Sequence, residues 1–209
     1  MPAFDQLVLK TQRLRLRPYA LADADALYAI YSDVRVMRYW SYPPWTSIDQ
    51  AHEMIAKDAT YLAAGEHLRL GVELADDGRL IGHCSLFNFN AQCQRAEIGY
   101  GMAFDAWGRG YMHEALTVVV GYAISELALN RIEADIDPRN AASAKTLERH
   151  GFQREGLLRE RWVVDAEVSD SGLYGLLRRD WLARTPQLRP IPPIKNAPEG
   201  AFFNSAANG

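Results

Sequence analysis

Cysteine is almost missing from this 209-residue chain, which holds only Cys84 and Cys93. Two thiols allow one disulfide at most, and with no C-x-x-C pair and no H-E-x-x-H motif, neither a disulfide framework nor a zinc site of ordinary spacing is expected. The five histidines are scattered, so no metal is predicted. Long apolar runs are also lacking. None is long enough to cross a bilayer, and the N-terminal "MPAFDQLVLKTQRLRLRP" has no continuous apolar core of the signal-peptide kind. These absences predict a cytoplasmic protein with reduced cysteines and no membrane partner. A net charge of −3 gives no electrostatic reason to expect nucleic acid. No internal repeat is evident.

What is present is ordinary for a globular fold: 48% hydrophobic and 23% charged residues, in a chain long enough to bury a good core. "LRLRP" from Leu14 closes a first strand, and "LADADALYAIYSD" reads as a helix with Asp23 or Asp25 placed to cap it. Pro43 and Pro44 make "YWSYPPWT" a loop. Ser47 and Gln50 form a capping box for a second helix, which Gly65 ends. Asp77-Gly78 is the turn of a hairpin within "LRLGVELADDGRLIGHCSLFNF". "RIEADIDP" is a further strand, "NAASAKTLERH" a short helix stopped by Gly151, and "FQREGLLRERWVV" with "SDSGLYGLLRRDW" a last antiparallel pair. The order predicts a mixed α/β (α+β) domain over residues 1–183. Residues 184–209 carry half of the ten prolines and read as an extension, with Phe202-Phe203 as the anchor if it binds a partner.

The chemistry is concentrated in "RAEIGYGMAFDAWGRGYMHEAL". "RAEIGYGMAF" reads as a strand. After Gly110, Met112, Ala115, Leu116, Val119, Val120, Ala123 and Ile124 recur at helical intervals. Gly108 and Gly110 therefore sit at a strand-to-helix junction. There the free N–H groups and the helix dipole favour an anion, and a missing β-carbon lets a phosphate approach. A P-loop is excluded, because Tyr111-Met112 stands where Lys-Ser/Thr is required. The three-glycine dinucleotide fingerprint fails at His113. A tight turn without a ligand is the alternative.

Three segments taken together resemble the GNAT superfamily of N-acetyltransferases, in particular its ribosomal-protein-alanine acetyltransferase (RimJ/RimL-like) branch: "TQRLRLRPYALADADALYAIYSDVRVMRYW", the glycine segment, and "RIEADIDPRNAASAKTLERHGFQREGLLRERW". The likeness runs from about Leu7 to Trp181. It implies a mixed, mostly antiparallel sheet with two splayed parallel strands flanked by helices, and an acetyl-CoA cosubstrate. Carried over by position, Gly108, Arg109, Gly110, Tyr111 and Met112 would cradle the pyrophosphate. The backbone of Met102, Ala103 and Phe104 would face the pantetheine. The superfamily pattern Q/R-x-x-G-x-G/A is not met at Trp107 or Met112, so the polar side chain that opens the cradle is missing.

The family's N-x-x-A/S-x-x-x-Y-x-x-x-G-F pattern places a thiolate-protonating tyrosine where this chain has Leu147. Ser143, at the A/S position, is the resemblance's replacement as hydrogen-bond donor to the sulfur; Asn140 either contacts the cofactor or caps its helix. Acyl transfer needs a neutral amine, hence a base. Glu97, on the strand face shared with Gly99 and Gly101, is the candidate; the alternative for it is a surface ion pair with Arg95 or Arg131. Glu160 and His83 are the secondary candidates. Trp40, Tyr42 and Trp45 would line the acceptor site or pack in the core. The expected acceptor is a protein N-terminal amine. A small amine or a non-catalytic CoA-binding role is the alternative, and a homodimer is left open.

Overall fold

The computed structural model describes residues 1–185. It contains eight strands, β1 (Leu9–Lys10), β2 (Leu14–Arg17), β3 (Leu68–Leu74), β4 (Leu80–Asn90), β5 (Arg95–Met102), β6 (Arg131–Ile136), β7 (Gln153–Val164) and β8 (Glu167–Leu177). The helices are α1 (Ala24–Tyr31), α2 (Val34–Met37), α3 (Asp49–Ala64), α4 (Tyr111–Ser125), α5 (Ala141–Arg149) and α6 (Arg178–Arg184). One sheet holds all the strands in the order β1-β2-β3-β4-β5-β6-β8-β7, and only β5 and β6 are parallel. The GNAT fold expected from the sequence is therefore present.

Local chemistry explains the elements. Gly65 ends α3 at φ 69°, and Gly78 turns the β3–β4 hairpin at φ 73°, both left-handed values that glycine adopts without penalty. Half of the expected capping box forms: Gln50 Oε1 accepts from the Thr46 and Ser47 N–H groups, but Ser47 Oγ accepts from the Asp49 N–H at 3.2 Å while the Gln50 N–H goes to Ser47 O, and Ile48 is the cap residue. Asp23 precedes α1, but its carboxylate turns back to the Ala20 N–H and the Arg17 guanidinium. Another expectation fails in detail: "RRDW" continues no strand. Arg178–Arg184 turn into α6, which buries Trp181 in the core.

The α4 face expected from periodicity is the one that is buried: Ala115, Leu116, Val119, Val120, Ala123 and Ile124 pack on the sheet through Ile98, Met102 and Ile132. Leu147 of α5 and Trp181 of α6 join this core. A second core lies around α1, α2 and α3, where Leu27, Tyr31, Met37 and Ile55 meet Trp45 and Leu80. Of the proline-rich stretch, Arg184 ends α6 and Thr185 follows it; the rest, with Phe202 and Phe203, lies outside the described residues. Cys84 is buried, Cys93 is exposed, and both are free thiols. Among the described residues, no helix is long and apolar enough to cross a membrane.

Candidate active site

The site begins where the sheet comes apart. β5 and β6 pair at Arg95–Arg131, Ala96–Ile132 and Glu97–Glu133, and the ladder then stops, although β5 continues to Met102 and β6 to Ile136. On the other edge of β5 the Ala103 N–H donates to Ile81 O, which fixes the alternation. Residues 103, 101 and 99 face β4 with their backbone polar groups, and the even residues face β6; the Glu97–Glu133 pair uses the Ile98 N–H, so Ile98 C=O, Tyr100 and Met102 direct theirs into the gap. The free edge thus runs from the Ile98 carbonyl to Met102. This corrects the expected backbone contacts at the far end: Ala103 spends its N–H on Ile81 and its C=O on Ala106, Phe104 O accepts from the Trp107 N–H, and Met102 O accepts from the Trp107 indole at 2.8 Å. Trp107 fills the place of the usual polar side chain and ties down the strand end.

At the end of this edge the chain turns through Gly108 (φ 74°) and Gly110 (φ 79°) into α4. The first helical bond runs from the Glu114 N–H to Gly110 O, so the N–H groups of Tyr111, Met112 and His113 have no acceptor within the helix. A Cβ built on Gly108 would meet nothing within 4 Å, and one on Gly110 only Arg13 Nη2 at 3.6 Å. Unused donors, open space and the positive end of a helix dipole fit a phosphate group. Arg109 is exposed, and its carbonyl accepts from Arg13 Nη1 at 3.1 Å. Arg13 was not foreseen as a site residue. Glu114 fixes it at 2.7 Å and its guanidinium lies 4.6 Å from the Tyr111 ring centre, which sets a cation beside the turn from 96 residues upstream.

Below the gap lies a cleft of about 440 Å³ lined by side chains from the first loop, β3–β8 and α5. Glu97, Tyr100, Asn140 and Ser143 all border it. Glu97 makes no ion pair with Arg95 or Arg131, which bind Glu133 instead; its Oε1 accepts from Asn88 Nδ2 at 3.0 Å. It shares its face with Gly99 and Gly101 as alternation requires. A Cβ on Gly101 would stand 2.8 Å from both His83 and Trp40, so glycine is what lets these two rings rest on the strand. His83 is buried and its ring meets the Tyr31 hydroxyl at 3.2 Å; burial, with Arg69 nearby, pushes its pKa down to about 3, so the ring is neutral. Glu160 is absent from the cleft: it sits at φ 52° in an irregular part of β7, its N–H bound to Asp170.

Asn140 caps α5, with Oδ1 accepting from the Ser143 N–H at 3.0 Å. Leu147, one turn further, is wholly buried. A tyrosine does reach the α5 start, from an unforeseen direction: Tyr100 Oη lies 2.7 Å from Ser143 Oγ. Trp40 and Tyr42 line the cleft, but Trp45 is corrected to a core residue, 7% exposed and stacked at 4.3 Å on Tyr31. A second hollow of about 190 Å³ adjoins the cleft, and the two share Trp40, Tyr42, Asp137 and Ser169. Arg139 closes the far side, pairing with Asp137 at 2.6 Å and Glu167 at 2.5 Å. Among the described residues, no group of three histidine, cysteine or acidic side chains is arranged to hold a metal.

Known proteins resemble this chain in sequence and fold. The family model described as "Acetyltransferase (GNAT) domain" matches residues 13–153. The chain is 35% identical over 173 residues to the Uncharacterized N-acetyltransferase p20 of Bacillus licheniformis, covering 83% of this chain and 97% of that protein. It is 26% identical over 182 residues to the ribosomal protein uS5-alanine N-acetyltransferase of Escherichia coli (strain K12), covering 83% and 92%. Among solved structures, a probable acetyltransferase aligns with TM-score 0.77 at 30% identity, over 84% of this chain and 99% of that one. The spermidine N-acetyltransferase from Vibrio cholerae, in complex with CoA and spermine, aligns with TM-score 0.73 at 24% identity, over 82% and 99%, a likeness of fold. With a split sheet, a glycine turn of open donors and a family match over most of its length, this chain belongs to the GNAT family and is an acetyl-CoA-dependent N-acetyltransferase.

Proposed function

We propose that this enzyme acetylates the N-terminal α-amine of a protein, by direct attack within a ternary complex. The observation that carries the reading is the second hollow of about 190 Å³ that adjoins the cleft across Trp40 and Tyr42: the residues after a peptide's N-terminus would have room there, room that a compact amine would leave unused. The carboxylates Asp135 and Asp137 would favour a polycation, but Asp135 pairs with Arg161 and Ser171, and Asp137 with Arg139, so little of their charge is left for an acceptor.

The donor side is assigned to the free N–H groups of Tyr111, Met112 and His113, with the Arg13 guanidinium, its charge shared with Glu114, adding N–H donors beside Gly110 and the free β5 edge holding the extended arm. Bound there, acetyl-CoA supplies an acetyl group activated as a thioester. Glu97 takes the proton that an ammonium must lose before it has a lone pair, directly or through one water. The Asn88 amide fixes the direction of that carboxylate. A backbone N–H of the free β5 edge stabilises negative charge developing on the carbonyl oxygen. Ser143 donates a hydrogen bond to the departing sulfur. Trp40, His83 and Tyr31 form a dry wall beside the reacting amine.

The test is a panel of unblocked peptides against a panel of polyamines, amino acids and aminoglycosides, reading free CoA thiol. Peptides with a free N-terminus are expected to turn over, and their N-acetylated counterparts not. Higher kcat/KM for every small amine than for any peptide would overturn the assignment.

A further inference from the structure

Tyr100 lies on β5 three residues past the last β5–β6 pair, and its ring crosses to the first turn of α5. Its Oη is 2.7 Å from Ser143 Oγ and 3.3 Å from Ser143 O. Ser143's own N–H is already taken by Asn140. Two hydroxyls in contact hold two protons and need one for their mutual bond. A phenol is the more acidic donor, and 2.7 Å is the better of its two contacts, so Tyr100 donates to Ser143 Oγ. The serine proton is then left over, on a hydroxyl that borders the cleft together with Glu97.

We infer that Tyr100 is a positioning residue for acyl transfer: its hydroxyl fixes Ser143 Oγ–H as the donor to the departing thiolate, standing in for the tyrosine that Leu147 replaces. This rests on the donor site assigned above. The pair gives a hydrogen bond and keeps its protons. Burial drives the Tyr100 phenol well above its ordinary range, against the opposing pull of the Ser143 bond, while a thiol titrates near about 8.5, so moving the tyrosine proton to sulfur is uphill. The balance is closed without it: the ammonium gives one proton to Glu97, the N–C bond forms, the nitrogen gives its second proton to cleft water as the C–S bond breaks with its electron pair on sulfur, and the thiolate takes up one proton from water on release while the other leaves Glu97 for solvent.

A donor aimed at sulfur prefers thiolate to thiol and lowers the pKa of bound CoA. The affinity for CoA then rises with pH between the bound and the free thiol pKa. Cys84, paired with Tyr100 across β4–β5, and Tyr174 of β8 are the titratable groups that bear on the Tyr100 hydroxyl, and His67, Arg69, His83, Asp135, Asp137 and Arg161 share the cleft with Glu97. Their titration affects CoA and desulfo-CoA alike, so the ratio of the two affinities isolates the sulfur. Calorimetry from pH 6.5 to 9.5 is expected to show CoA gaining about 10-fold over desulfo-CoA in the parent enzyme, the size of one charge-assisted hydrogen bond. Tyr100→Phe and Ser143→Ala, each confirmed folded by its melting curve, should hold the ratio within about 2-fold. A flat ratio in the parent, or a parent-like rise in Tyr100→Phe, overturns the inference while leaving the donor site standing. If neither CoA nor desulfo-CoA binds, the donor site itself is wrong and the inference falls with it.

Discussion

Replacing Gly110 by aspartate probes the anion site with two effects that separate cleanly. Gly110 holds φ 79° at the start of α4, and the nearest atom to a new Cβ is Arg13 Nη2 at 3.6 Å, so nothing blocks the side chain. Left-handed backbone costs a residue with a Cβ about 1–2 kcal/mol, and a carboxylate at a helix N-terminus recovers about 0.3–1 kcal/mol. The ligand-free variant is therefore expected to lose about 1 kcal/mol, or about 2–4 °C for a domain of this size. Binding suffers far more. Two unit charges about 4 Å apart near a protein surface repel by about 4 kcal/mol; half of that already weakens binding about 30-fold. The new carboxylate also draws the Arg13 guanidinium to itself, which acts in the same direction. In a thermal-shift assay with CoA at about 100 times its parent Kd, the parent gains about 2.7 kcal/mol, roughly 5–11 °C. The same CoA stands at only about three times the variant's Kd, where the gain is about 0.8 kcal/mol, roughly 2–3 °C. A folded Gly110→Asp protein with the full parent shift would refute the placement of phosphate on this helix.

Three further outcomes follow from other parts of the molecule. Glu97→Gln preserves the Asn88 contact but removes the proton acceptor, so kcat should fall about 100-fold in a steady-state thiol assay with CoA affinity unchanged; an unaltered kcat would dismiss Glu97 as the base. Trp45→Ala should cost about 3–5 kcal/mol of stability in urea melts with little change in acceptor KM, whereas Trp40→Ala should raise that KM and cost less stability, because only Trp40 borders the cleft; the reverse pattern would restore Trp45 to the acceptor wall. His83 stays neutral in the fold down to about pH 3, and its unfolded counterpart takes up a proton below about pH 6.5. Since the unfolded chain binds the extra proton, stability contributed by His83 is complete above that value and drops by about 1.4 kcal/mol per pH unit on acidification. Urea midpoints for the parent and His83→Gln should converge between pH 7 and pH 5, and parallel lines would contradict the buried neutral ring.

Much of the scaffold could be read before any coordinates because its signals are local. The α4 stripe, the Gly65 and Gly78 stops and the Asp77-Gly78 hairpin each depend on spacing or on a backbone angle that glycine supplies. Alternation also set Glu97 on the face of Gly99 and Gly101, where steric space for Trp40 and His83 shows why those glycines are there. What escaped were contacts across long sequence separations. Arg13 reaches the cradle from the bend before β2, where it looks like a solvated charge, and Tyr100 reads as an ordinary strand aromatic until α5 is docked over it. Trp45 and Trp40 are neighbours in an aromatic loop, and only the packing of Tyr31 decides that one faces in and the other out. "RRDW" was assigned to a strand because one buried tryptophan fits either period.

Where β5 loses its neighbour, peptide groups that a finished sheet would saturate are left waiting for company. A guest lying along them is gripped through atoms every amino acid possesses, so mutation can hardly retune that grip. Trp40, Tyr42 and Arg139, by contrast, would meet the proposed acceptor with side chains alone. One half of the molecule is thereby fixed by geometry, and the other is free to drift toward new clients without disturbing it.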